Sequence, residues 1–488
     1  MFACETTGSD NFSTTARLFT LRAKILLPPR IILPRNSDPS PVATSTVAKS
    51  AIRKAGLFYF VWVMFSYCTG GPFGLEDMVT TSGPGLTLIY LLVIPFFWSI
   101  PVSLVSAELT AAMPVEGGFY RWSRAAFGDF WGFLAGWWNW CASFLLGAAY
   151  AVQVSDYLSF YIPQLAGWRH YVVSLLVVVL ITWINVRGIE AVGKFATALE
   201  LFILLPVLVL VVMGLSKWHH NPFAPLTPPH QPLFSVFGVG LSLGLWLYSG
   251  YEQCSTVAEE VEDPRRTYPL ALAIVVPLSM AVLFLPTFAS LAALGNWQSW
   301  HTGYFPRAAQ LIGGPWFGSW MTFAAMLTNL SLMNATVLTS TRMPFAMAED
   351  GYLPSALTGK HPRYGTPWIA IIASGVVYAL LALHSLVQLI IIYSWLRVAT
   401  TVLTVLAAWQ LRRKRPDLPR SFVIPGGWAG LICAVVAVIA MSAVALAGSL
   451  FGNTGNGGAN LYGLVWGPLA LAAGPLVYAA LRAWKTSG

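Results

Sequence analysis

Apolar runs of about 20 residues recur along the whole chain with almost no charge inside them, and this constrains the fold more than any other feature. Twenty residues of α-helix rise about 30 Å, the thickness of a bilayer's hydrocarbon core. Transmembrane barrels are written in short alternating segments, whereas these runs are continuous, so a porin-type architecture is excluded. Only 10% of the residues are charged, against about a quarter in a soluble domain, so the chain cannot cover a water-facing surface of ordinary size. The fold class is an all-α membrane protein embedded in a lipid bilayer.

Turn signals divide the runs into twelve spans, at 55–81, 86–112, 129–160, 169–186, 190–214, 233–258, 268–294, 314–341, 367–383, 385–410, 428–451 and 461–482. Residues 1–50 are polar and rich in Pro, Ser and Thr, and read as a disordered cytoplasmic tail ahead of a twelve-helix domain at 51–488. An even number of spans puts both termini on one side. With the basic tail inside, cytoplasmic segments hold 24 of the 28 Lys and Arg, as the positive-inside rule requires. That distribution accounts for the net charge of +9 without a nucleic-acid partner. The five cysteines lie in the tail or in apolar runs, which implies no disulfide framework and no external thiol for bridging a partner chain.

The first and sixth spans are interrupted. The first carries Thr69-Gly70-Gly71-Pro72-Phe73-Gly74 followed by Glu76 and Asp77; the sixth carries Tyr248-Ser249-Gly250-Tyr251-Glu252. Glycines and a proline at mid-bilayer depth do not continue a helix cheaply, and irregular backbone survives there only where it is buried or lines a cavity. Two breaks five spans apart predict a five-plus-five inverted repeat, 55–214 and 233–410, with extra helices at 428–482 and a substrate site between the breaks. Gly packing alone is the bland alternative.

The backbone of Gly70, Gly71, Gly74, Ser249 and Gly250 is the candidate binder of a substrate's fixed end. The second half of the first helix is expected to begin near Pro72, where its positive end favours an anion such as a substrate carboxylate. Glu76 either stabilises that helix end or pairs with a cationic amine; the second reading welcomes a polyamine or dibasic substrate. Among the many aromatics, Phe73, Trp246, Tyr248 and Tyr251 adjoin the breaks, where a ring can cover an amine by cation–π contact. Arg397 and Glu200 lie near the middle of their spans, so Arg397 either pairs with a carboxylate, with Glu200 and Glu252 as candidates, or lines a wet path. Glu108 and Arg121 sit toward the inner face and suit a cytoplasmic gate.

Four stretches carry a resemblance: AELTAAMPVEGGFYRW from Ala107, AEEVEDPRRTYPLA from Ala258, MAEDGYLPSALTGKHPRYGTP from Met347 and RRKRPDLPRSFVIPGG from Arg412. With the span spacing, the chain after residue 50 resembles the amino acid–polyamine–organocation transporter superfamily. GGPFGLED at the first break and Asp156-Tyr157-Leu158 are similar to its branch of polyamine uptake transporters and related amino acid permeases. Trp246 to Glu252 is closer to the arginine/agmatine exchanger branch. The resemblance implies a permease of the plasma or inner cell membrane with broken helices one and six. It also implies that Glu252, where proton-coupled relatives carry an acid, couples transport to protons. Sodium is the competing ion; the lysine that replaces it in some relatives is missing around Ile203-Leu204-Leu205-Pro206.

The expectation is therefore a secondary transporter importing amino acids or polyamines with protons, cationic substrates favoured and no cofactor or metal. An exchanger, a neutral amino acid permease, a non-transporting sensor and a membrane enzyme are the alternatives. HExxH and phosphate-loop patterns do not occur, which removes the parts for zinc hydrolysis and ATP-driven pumping.

Overall fold

The computed structural model describes residues 56–114, 117–187, 192–229, 231, 233–451 and 461–487, without the side chains of 192–201, 233–235, 256–260, 342, 451 and 484–487. The expected tail at 1–50 and the side chain of Glu200 lie outside that description. Every element among the described residues is helical. Helix α1 (Leu57–Cys68) is separated from the short α2 (Glu76–Ser82) by seven irregular residues. Helices α3 (Pro84–Ile94) and α4 (Ile100–Ala112) join through a π-helical turn into one 29-residue helix. There follow α5 (Gly118–Phe127), α6 (Asp129–Leu158), α7 (Trp168–Arg187), α8 (Val192–Ser216) and α9 (Leu233–Leu247). After α9 the chain turns and continues as a 3-10 helix, Tyr251–Glu260. The remainder is α10 (Pro264–Leu294), α11 (Tyr304–Gly313), α12 (Pro315–Ser340), α13 (Arg342–Glu349), α14 (Trp368–Leu381), α15 (Leu386–Lys414), α16 (Gly427–Phe451) and α17 (Gly467–Ser487).

Seven helices among the described residues are long and apolar enough to cross a membrane, and four shorter apolar helices accompany them. Two of the four, α1 and α9, are short because the chain leaves the α-helix at the two interruptions. Large apolar side chains such as Phe96, Leu176, Leu380 and Leu476 point outward, the pattern of a helix bundle solvated by lipid rather than water. Burial ranks the helices: 78% of the most apolar stretch of α15 is inside the protein, against 11% for α17. Helix α15 is thus central and α17 peripheral. The start of α15 is fixed by a capping box, in which the Ser385 hydroxyl accepts from Gln388 N–H and the Gln388 side chain accepts from Ser385 N–H at 3.0 Å. From that fixed start, α15 packs against α6 and α9 and carries Arg397 into the interior.

Two expectations change in detail. The second half of the first broken helix begins at Glu76, not near Pro72, because Gly74 adopts φ +91° and no α-helix runs through that conformation. The second half of the sixth is wound as a 3-10 helix rather than an α-helix.

Candidate functional site

Breaking a helix frees backbone groups that must find partners away from water. At the first break the Thr328 hydroxyl donates to Gly70 O at 3.2 Å, and the Thr69 and Ser279 hydroxyls bond each other at 2.5 Å. Gly74 N–H donates to Glu76 Oε2 at 2.7 Å and to the Tyr157 hydroxyl at 3.0 Å, while that hydroxyl donates to Glu76 Oε1 at 2.7 Å. At the second break the Ser99 hydroxyl donates to Tyr248 O at 3.1 Å, and Trp98 Nε1 donates to the Ser249 hydroxyl at 3.0 Å. The start of α2 therefore already has a carboxyl group folded onto it, and that group belongs to the chain.

Between the breaks lies a chamber of about 50 Å³, walled by residues of α1, α6, α9, α12, α15 and both irregular segments. One water needs roughly 10–15 Å³ on this measure, so the walls stand close together around room for a few small groups. Phe73, Trp246, Ser249, Gly250 and Arg397 line it. The Phe73 ring meets Tyr157 edge-on at 5.5 Å, and Trp246 lies 6.4 Å from Tyr150. Gly74 is obligatory at its position: a Cβ there would stand 2.7 Å from the Trp246 ring and 2.9 Å from Gln153 Oε1.

Other expected residues sit behind the wall. Glu76 is fully buried and turned onto Gly74 and Tyr157, the helix-end position, and does not line the chamber. Tyr248 donates its hydroxyl to Leu91 O at 2.7 Å and faces away, and Tyr251 packs into a second apolar cluster with Cys68 and Cys254. Gly70, Gly71 and Gly74 shape the chain without lining the chamber. Glu252 is also behind the wall, where it forms an ion pair with Arg397, whose Nη1 lies 3.3 Å from Asn139 Oδ1. Asn139 Oδ1 accepts from Gln253 Nε2 as well. Of the two carboxylates considered for Arg397, the described one is Glu252.

The lining that sequence reasoning missed is uncharged: Asn139, Ser143, Tyr150 and Gln153 of α6, Thr328, Asn329 and Thr336 of α12, and Tyr67 and Tyr393. Polar residues spaced three and four apart in otherwise apolar spans were the available signal, since a helix polar along one stripe in lipid has that stripe facing protein or a cavity.

At one end of the bundle Glu108 is 2% exposed and receives Arg412 through both Nε (2.6 Å) and Nη2. Ile424 N–H donates to it at 3.0 Å, and Arg420 Nε lies 3.6 Å away. This ties α4 to the end of α15 and the segment before α16. Arg121 sits in a separate cluster, 3.3 Å from Asp350, which also takes Arg124 at 3.0 Å and the Tyr120 hydroxyl at 2.5 Å. No group of three or more His, Cys, Asp or Glu that could hold a metal occurs among the described residues.

Comparison with known proteins gives a consistent result. The model of a family described as amino acid permease matches residues 56–467. A probable polyamine transporter of Arabidopsis thaliana is 34% identical over 417 residues, covering 82% of each chain. The polyamine transporter PUT1 of Oryza sativa subsp. japonica is 34% identical over 405 residues, 82% of this chain and 74% of its own. An uncharacterized transporter of Legionella pneumophila is 30% identical over 399 residues, 75% of this chain and 85% of its own.

Proposed function

The chain belongs to the amino acid permease family, is an integral membrane permease and not an enzyme, and from that premise we propose that it imports polyamines or other cationic amines together with protons. The observation that carries the amine reading is the Glu76 carboxylate on Gly74 N–H. An ordinary amino acid brings a carboxylate for such a helix end; here that place is filled, and a second anion would meet like charge. A solute bearing only ammonium groups meets no such conflict, and the aromatic side chains of Trp246, Phe73 and Tyr150 line the chamber, where a ring can take an amine by cation–π contact. Similarity to proteins named polyamine transporters supports the same choice.

In this reading Glu252 is the proton-coupling group and Arg397 its resident counter-charge. An ion pair withdrawn from water is tolerable only while both members are present or both are neutralised. Protonating Glu252 releases Arg397, the member of the pair that lines the chamber, and so changes the charge an incoming ammonium meets there. Proton occupancy, substrate occupancy and the position of Arg397 are thereby linked. The frame is twelve spans in a five-plus-five inverted repeat, 55–214 and 233–410, both termini cytoplasmic, with Glu108 and Arg121 in the inner gate. Two helix breaks five spans apart and the distribution of Lys and Arg support it.

The test is uptake of radiolabelled putrescine and of arginine into proteoliposomes, with and without an inward proton gradient. Accumulation of the amine driven by the gradient is the expected result. Counterflow independent of the gradient indicates an exchanger, accumulation of neutral amino acids alone overturns the amine reading, and binding without accumulation indicates a sensor.

A further inference from the structure

The chamber is much longer than its volume suggests. Helix α6 lines it with Asn139, Ser143, Leu146, Tyr150 and Gln153, steps of three and four residues that share one helix face. Asn139 and Gln153 are fourteen residues apart, about 21 Å at the helical rise. Helix α12 lines it from Thr328 to Ser340, twelve residues, or about 18 Å. Two walls of that length around about 50 Å³ describe a narrow slot, the shape of a linear solute and not of a compact one.

The ends of the slot differ. At one end Arg397 bonds Asn139 and pairs with Glu252. At the other Gln153, 1% exposed, has neither its amide oxygen nor its amide nitrogen hydrogen-bonded among the described residues. Buried amides are nearly always satisfied, so one that lines a cavity with both atoms unpaired is poised for a ligand. Its oxygen packs against Gly74, and Glu76 holds the N–H of that same glycine. Negative charge one residue behind the amide favours a cation in front of it.

We propose that Gln153 is the far-end subsite of a slot for linear amines, accepting a hydrogen bond from one terminal ammonium while the rest of the solute extends along the α6 wall toward Asn139. This rests on the amine reading above and deepens it into selection by chain length. An extended chain gains about 3.5 Å per three bonds, so terminal nitrogens nine bonds apart stand about 11 Å from each other. Side chains reaching inward from both ends close the remaining distance.

The full-length protein in proteoliposomes decides the matter through competition of radiolabelled spermidine uptake by α,ω-diamines of increasing methylene count. Inhibition by the wild type should strengthen with chain length until the slot is spanned. Gln153→Leu should weaken the long members about tenfold or more, the scale of one hydrogen bond to a charged group, and leave the shortest unchanged. Gln153→Glu should tighten the long members. A wild-type profile flat in chain length, or equal weakening of short and long amines by Gln153→Leu, overturns the subsite. Should Gln153→Leu not fold, Gln153→Glu decides, and unchanged inhibition by the long members in that variant overturns the subsite. Absence of any amine uptake by the wild type overturns the amine reading itself, an outcome distinct from a flat profile.

Discussion

Arg397 of α15 and Glu252 of the 3-10 helix form an ion pair in which each residue is 2% exposed, and only Arg397 reaches the chamber wall. Withdrawing either partner leaves the other charged and buried, at a cost of about 3–5 kcal/mol, whereas replacing both can be close to neutral. Arg397→Met and Glu252→Gln should each lower the denaturation temperature of the solubilised protein, and the double variant should recover most of the loss. Additive losses in the double variant would show that the two residues are not energetically coupled.

On the proposed reading the same pair sets the pH response of transport. If the proton travels on Glu252, wild-type uptake rises as the outside is acidified, and Glu252→Gln flattens that rise because an amide does not titrate. Uptake measured across external pH at constant substrate is the readout. An unchanged slope in Glu252→Gln removes the proton from this carboxylate.

Glu76→Gln keeps an acceptor for Gly74 N–H and removes the negative charge behind the chamber wall. Uptake of polyamines should fall by about tenfold, the scale of one charge interaction of ~1.4 kcal/mol, while uptake of a neutral amino acid, where measurable, should change little. Tyr157→Phe removes the other hydrogen bond to that side chain and leaves the carboxyl group itself in place. Equal, small losses for both substrate classes in Glu76→Gln would leave Glu76 as a helix-end acid alone.

Much of the frame was legible because lipid imposes it. Apolar runs near the bilayer thickness locate the helices, and Gly70, Gly71, Pro72 and Gly74 cannot be wound into one, so the first break follows from backbone chemistry. The pairing of Arg397 was legible as one of two options, the other being a wet path, and its partner was not, since Glu252 and Glu200 satisfied the same rule. The direction of Glu76 was not legible. A carboxylate two residues past an irregular Gly can face the cavity or fold back onto that residue's N–H, and the Tyr157 hydroxyl, contributed from a distant span, fixes the second. The long neutral wall of α6 was the least visible part, because Asn139, Ser143, Tyr150 and Gln153 each read as an ordinary polar residue in a packed bundle. Only their common face, set by the helical period, makes them a lining.

Cys68 and Cys254 adjoin the two breaks, yet only Cys68 lines the chamber; Cys254 is 5% exposed behind it. A small membrane-permeant thiol reagent should modify Cys68 at a rate that saturating substrate slows several-fold, following the fraction of empty sites. Cys254 should react more slowly and without regard to substrate. Mass spectrometry of the labelled peptides distinguishes the two. Modification of Cys68 at the same rate with and without a transported amine would place the substrate elsewhere.

The clamp on Glu108 separates a buried network from a surface one. Glu108 takes the Arg412 guanidinium at two nitrogens and an amide N–H from Ile424, and Arg412 also donates to Gly427 O at 2.6 Å with its guanidinium 5.6 Å from the Trp428 ring. The side chains of Arg412 and Glu108 are 7% and 2% exposed, whereas that of Arg121, 3.3 Å from Asp350, is 37% exposed. Truncating one member of the buried network strands charge and should cost about 3 kcal/mol or more, while an exposed pair contributes about 0–1 kcal/mol. Glu108→Ala should therefore lower thermal stability far more than Arg121→Ala. Arg412→Lys should fall in between, because an ammonium cannot reproduce the forked contact or the stacking on Trp428. Differential scanning fluorimetry of the three variants orders them; equal shifts for Glu108→Ala and Arg121→Ala would mean that the Glu108 network carries no more stability than a solvated ion pair.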